Sequence, residues 1–176
     1  MRKTILYIAT SLDGYIADEY GSVDWLEVEG IDHKKPSSFD DFIDTIDTVI
    51  LGYKTYHQII TELSPNQWVY EGKQSYVFTH HQCENQKEIE FVSGDIGSFI
   101  DKLKQQAGKD IWICGGAELI QQCLKVNKID RIHLTLIPCL LGKGIKLFNT
   151  LEASQQFKLV EYKNYQGLLD VVYERI

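Results

Sequence analysis

The sequence predicts an α/β fold in which a central mixed, mostly parallel sheet carries helices on both faces and ends in an antiparallel C-terminal hairpin. Three observations lead there. Short runs rich in β-branched and aromatic residues alternate with segments whose apolar residues recur at helical spacing. Two of these runs stop at glycine just where a helical pattern starts, as β–α turns do in parallel sheets. The last two runs are separated only by Gln166 and Gly167, too short for a crossover, so they must pair antiparallel.

Taken in order, the first strand covers residues 4–10 (TILYIAT) and empties into a polar loop. That loop holds Asp13, Asp18, Asp24, Trp25 and two glycines, and its length suits a lid. Phe39, Phe42, Ile43 and Ile46 then recur as on an amphipathic helix. Residues 48–51 (TVIL) form a strand ending at Gly52. A helix opens near Lys54 and Thr55, with Tyr56, Ile59, Ile60 and Leu63 on its apolar face. Strands follow at 75–79 and 89–92. Asp95 is a fitting N-cap for a helix bearing Ile96, Phe99, Ile100 and Leu103. Residues 111–114 (IWIC) run into Gly115 and Gly116, and a helix continues through Ala117, Ile120 and Leu124. The final strands are 131–137, 157–165 and 168–175.

A chain of 176 residues fits one domain, residues 1–176, with a core that needs no staples. Hydrophobic residues make up 44% and the formal net charge is -7, which argues against nucleic acid, since duplex binding requires a basic face. A local pocket can still hold a small anion against that field. Cys83, Cys114, Cys123 and Cys139 form no C-x-x-C pair and have no histidine at zinc spacing, so no metal site is expected. No apolar stretch has the length of a membrane span, and Asp13 and Gly14 interrupt the N-terminal apolar run too early for a signal peptide. These features lead us to expect a cytoplasmic protein with free, mostly buried thiols and no membrane partner.

Two stretches carry binding chemistry. In TVILGYKTYHQI, Gly52 lets a ligand approach the backbone. The free N–H groups of the following helix start favour an anion, and Lys54 and Thr55 add hydrogen bonds. In DIWICGGAELIQQCL, Gly115 and Gly116 repeat the arrangement. Each stretch alone also reads as an ordinary β–α turn, and neither is a Walker A loop or a G-x-G-x-x-G fingerprint. Both would lie at the carboxyl ends of strands, where open α/β sheets bind ligands.

The succession SLDGYIA, LGYKTY, ICGGAEL and IDRIHLTLIPCLLGKGIKLF resembles the dihydrofolate reductase superfamily. Within it, the chain is most similar to the reductase domain of bacterial riboflavin biosynthesis and its stand-alone relatives. The resemblance runs from Thr4 to the last strand and implies a dihydrofolate-reductase-like three-layer fold that binds NADPH. It places Gly52, Lys54 and Thr55 at the first pyrophosphate-binding helix start. Gly115, Gly116, Ala117 and Glu118 match the second glycine turn, along the nicotinamide and pyrophosphate. Thr79, His80 and His81 fall where the family holds the adenosine ribose and its 2′-phosphate. Ala9 and Ile16 flank the nicotinamide, and Asp13 borders cofactor and substrate.

The activity this implies is hydride transfer from NADPH to a C=N or C=O group of a small heterocycle, as in 5-amino-6-(5-phosphoribosylamino)uracil reduction. Asp13 is the first choice for a proton-relaying carboxylate and Glu118 the second, with water as the other donor. Asp13, Trp25 and Asp41 are the candidate substrate contacts. The first helix, SSFDDFIDTID, does not align cleanly with the acid that binds the pterin in folate enzymes, and its acids also suit a helix start. Dihydrofolate reductase itself, and a non-catalytic nucleotide-binding module of the same fold, are the alternative readings. The resemblance also implies a homodimer joined through sheet edges and C-terminal strands.

Overall fold

The computed structural model describes residues 1–32 and 37–176. Eight strands form one sheet: β1 (Thr4–Ser11), β3 (Ile46–Gly52), β4 (Gln74–Phe78), β5 (Ile89–Val92), β6 (Asp110–Gly115), β7 (Arg131–Ile137), β9 (Phe157–Tyr165) and β10 (Leu168–Arg175). Their order is β5-β4-β3-β6-β1-β7-β10-β9. The pairs from β5 through β7 are parallel, and β10 runs antiparallel to both β7 and β9. The expected mixed sheet is therefore present. Its last turn uses Gln166 and Gly167, both at positive φ (51° and 94°), the conformation that a two-residue hairpin link demands.

Alternation along each inner strand builds a core on both faces. Leu6, Ile50, Ile111 and Ile113 point to one face. There they meet Ile96, Ile100 and Leu103 of α3 (Ile96–Gln105) and Leu119, Ile120, Cys123 and Leu124 of α4 (Ala117–Lys125). Ile5, Tyr7, Val49, Leu51 and Trp112 point to the other face, against Phe42 of α1 (Ser38–Ile43) and Tyr56 of α2 (Tyr53–Gln58). Asp95 caps α3 as expected, accepting from the Ser98 N–H at 2.7 Å. At the foot of the sheet, the Arg2 side chain is only 5% exposed. It bonds the Asp47 carboxylate, Thr48 Oγ1 (2.6 Å) and the Lys109 carbonyl (2.5 Å).

Several expectations need correction. Ile46 does not belong to the first helix. Thr45 closes that helix by donating its N–H (2.9 Å) and its hydroxyl (2.7 Å) to the Phe42 carbonyl, and the β-branched run from Ile46 enters β3 instead. The second helix opens at Tyr53 and gives way after Gln58 to a π turn, Ile59–Leu63. The loop after β1 is not a plain connection, because β2 (Tyr15–Ala17) pairs antiparallel with β8 (Ile145–Lys146). That pairing needs Gly144, whose missing Cβ would collide with the Ala17 carbonyl. Among the thiols only Cys123 is fully buried; Cys83, Cys114 and Cys139 are half-buried. No helix among the described residues is long and apolar enough to cross a membrane.

Candidate active site

The two glycine junctions meet. β3 and β6 lie side by side with Leu51 opposite Gly115, so both chains turn into their helices at the same edge. A Cβ on Gly52 would sit 3.8 Å from the Gly115 carbonyl and the Gly116 nitrogen. A Cβ on Gly116 would sit 3.1 Å from Thr55 Oγ1. The peptide between Gly115 and Gly116 is cis. No side chain caps α2 at Gly52 or α4 at Gly116, so their first N–H groups stay available to a ligand. Ala117 begins α4 half-buried. Lys54 and Glu118 reach across the gap between the helix starts (Nζ to Oε1 3.3 Å) with side chains 89% and 83% exposed.

Thr79 follows β4, next to β3 in the sheet. It is buried, and its hydroxyl accepts the His81 N–H at 3.0 Å. His80 and His81 are exposed, and the His81 ring lies 4.9 Å from that of Tyr53 at the start of α2. The third strand end thus stands beside the first junction.

On the other side, Ala9 of β1 pairs with Thr135 of β7, and Ile16 of β2 packs on the core. Asp13 joins the first loop to the segment after β7. Its carboxylate accepts from Ser11 Oγ (2.6 Å), the Leu141 N–H (3.1 Å) and the Gly142 N–H (2.7 Å). The Ser11 hydroxyl and those two amides hold its pKa down to about 2. Trp25 is half-buried in a single 3₁₀ turn, Asp24–Leu26, and among the described residues its Nε1 has no partner. Asp41 lines a different place, a cavity of about 160 Å³ beneath α1 with Phe42, Arg131, His133 and Asp170. No hydrogen bond or ion pair joins Asp13, Trp25 and Asp41, so the three expected substrate contacts form no single cluster.

The RibD C-terminal domain model matches residues 2–169. This chain belongs to the RibD C-terminal domain family. It is 42% identical over 178 residues to the uncharacterized protein YwjB of Bacillus subtilis (strain 168), covering 99% of this chain and 98% of that one. It matches the crystal structure of a protein assigned to riboflavin biosynthesis from Shewanella sp. PV-4 with a TM-score of 0.88, 30% identity and 99% coverage of both chains. A dihydrofolate reductase from Enterococcus faecalis, complexed with NADP(H), superimposes with a TM-score of 0.64 at 14% identity, over 98% of this chain and 96% of that one, which shows a common fold.

In this RibD-type domain, the polar groups that sequence reasoning missed lie under α1. A second cavity of about 240 Å³, lined by Tyr7, Ser37, Ser38, Asp40, Thr135, Tyr165, Leu168 and Asp170, adjoins the first and shares Ser38 and Asp170 with it. Tyr7 Oη and Ser38 Oγ are hydrogen-bonded at 2.9 Å, and Thr135 Oγ1 donates to Asp170 Oδ1 at 2.5 Å. Burial pushes the Tyr7 hydroxyl up and the His133 imidazole down from their ordinary pKa values, so His133 is neutral at pH 7. One signal was available in the sequence. Asp170 is a lone acid in the apolar strand LLDVVY, and alternation puts its side chain opposite Thr135.

Proposed function

We propose that the chain is an NADPH-dependent reductase that delivers a hydride to a small heterocyclic substrate, as the reductase domain of riboflavin biosynthesis does. The observation that carries this reading is the contact between the two glycine junctions, which makes one continuous backbone cradle with two uncapped helix starts. A side chain at Gly52 or Gly116 would intrude into it, so the residues present fit an extended dinucleotide.

Gly52, Lys54 and Thr55 would hold the pyrophosphate from one side and Gly115, Gly116 and Ala117 from the other. Thr79, His80 and His81 would take the adenosine ribose and its 2′-phosphate, with Ala9 and Ile16 flanking the nicotinamide. When bound, NADPH supplies the hydride. Asp13 has a different task from proton transfer. A carboxyl group held at about 2 is ionised throughout the neutral range and donates no proton there. It fixes the loop after β7 against the first loop. Glu118 is ion-paired to Lys54 in solvent and shapes the charge at the cradle's rim. Water delivers the proton in this reading, while Asp41 and Trp25 border the substrate.

Thermal unfolding with NADPH tests it. A saturating ligand raises Tm by mass action. No shift at millimolar NADPH overturns the reading. The same proposal includes a homodimer through the β9 edge, where Leu159, Val160 and Tyr162 are exposed. A monomer mass in light scattering would remove that part.

A further inference from the structure

We infer that Asp170, oriented by Thr135, is the specificity-determining residue of the cleft and selects a nitrogen heterocycle that presents adjacent N–H donors. This rests on the reductase reading above and narrows its substrate class.

The first observation is an acceptor with too few donors. Asp170 is only 3% exposed, yet a carboxylate offers about four lone-pair positions. Thr135 fills one of them. The next group, His133 Nε2, stands 4.0 Å from Oδ1, beyond hydrogen-bond reach, and it too lacks a partner among the described residues. Because burial keeps that imidazole uncharged, it does not neutralise the carboxylate. No Lys or Arg among the described residues comes within ion-pair distance of Asp170, and nearby Lys163 is bonded to Glu161 at 2.9 Å. A buried carboxylate this poorly matched destabilises the fold unless something else donates to it.

The second observation is where Asp170 sits. It is the only charged residue that lines both cavities under α1. Ala9, Thr135 and Asp170 form one row across β1, β7 and β10, with their side chains on the same face of the sheet. The row runs from the position expected beside the nicotinamide into the cleft, across two strand spacings, or about 10 Å. One small ring bound along it would have a reducible edge toward Ala9 and a donor edge on Asp170. A ketone, aldehyde or dicarboxylate brings only acceptors to that carboxylate and is repelled. A ring with adjacent N–H and NH₂ groups supplies the missing donors.

The test is calorimetric titration of the full chain with isocytosine, whose N3–H and 2-amino group are adjacent donors, and with its N3-methylated form, each with and without saturating NADP⁺. The wild-type protein is expected to bind isocytosine about tenfold or more tightly than the methylated ring. Asp170→Asn is expected to lose about the same factor while its NADPH thermal shift stays unchanged. Equal binding of the two rings, no binding of either, or an unchanged Asp170→Asn affinity overturns the inference. If Asp170→Asn does not fold, Thr135→Val and the comparison of the two rings on wild type decide it. The NADPH shift in the same samples reports separately on the cofactor reading.

Discussion

The position a Cβ would take on Gly116 lies 3.1 Å from Oγ1 of Thr55, so the second glycine junction is closed against the first by the absence of one side chain. Gly116 itself has φ -79°, which any residue can adopt, so the constraint is space. Gly116→Ala is therefore expected to cost about 1–2 kcal/mol of stability through overpacking. Thr55→Ala should relieve most of that cost in the double variant. Urea midpoints of the four proteins in a double-mutant cycle check this, and additive effects would refute the contact.

Lys54 and Glu118 meet in solvent, where an ion pair contributes little to the fold. Lys54→Ala should move Tm by less than about 1 °C. Its loss should nevertheless weaken NADPH binding about five- to tenfold, because a charge-assisted bond to phosphate is removed. Tm and a fluorescence titration of the same sample separate the two effects.

Asp13 titrates at about 2 in the folded protein, against an ordinary value of 3.8. A carboxyl whose folded pKa is depressed contributes stability above its unfolded pKa and loses it as pH falls toward the folded value. The wild type should therefore lose stability between about pH 4 and pH 2, partly through Asp13 and partly through Glu174, which Lys3 and Arg131 also hold at about 2. Asp13→Asn should show a shallower decline over that window in Tm against pH. Under the proposed function the pH profile of turnover should keep its shape in Asp13→Asn, whereas a proton relay would lose a limb.

His133 works in a higher window. Its folded pKa lies below the ordinary 6.5 because it is buried, so the unfolded chain takes up the proton first. Stability from this group is complete above that value and declines as pH falls through it. Urea midpoints measured from pH 8 to pH 5 should fall more steeply for wild type than for His133→Gln.

Arg2 supplies donors to two carbonyls and to Thr48 while almost fully buried. Arg2→Met keeps much of the volume but strands those acceptors. It should cost about 2–3 kcal/mol, read as a lower urea midpoint with an unchanged slope.

The strands, three of the four helices and the antiparallel end of the sheet were legible in the sequence because each depends on short-range periodicity. The run TVIL before Gly52, the Asp95 cap and the two-residue link at Gln166 and Gly167 carry their structural meaning within a few neighbours. The first helix was misjudged at Ile46 because apolar spacing continues past the Thr45 turn, and spacing alone does not register a carbonyl capped from within. The β2–β8 pair was invisible for another reason: its partners are about 130 residues apart, and two- or three-residue strands have no period.

The site divides in the same way. By itself the sequence determined the two glycine junctions, since a strand that stops at glycine before a helix needs only local backbone geometry. Only the tertiary structure decided that Gly52 touches Gly116, that Asp13 is bound to the amides of residues 141 and 142, and that Asp41, Trp25 and Asp13 stand apart. It also brought Tyr7, Ser38, Thr135 and Asp170 together under α1. Those four come from three strands and a helix spread along the whole chain, and their hydrogen bonds exist only once the sheet has fixed which strands are neighbours.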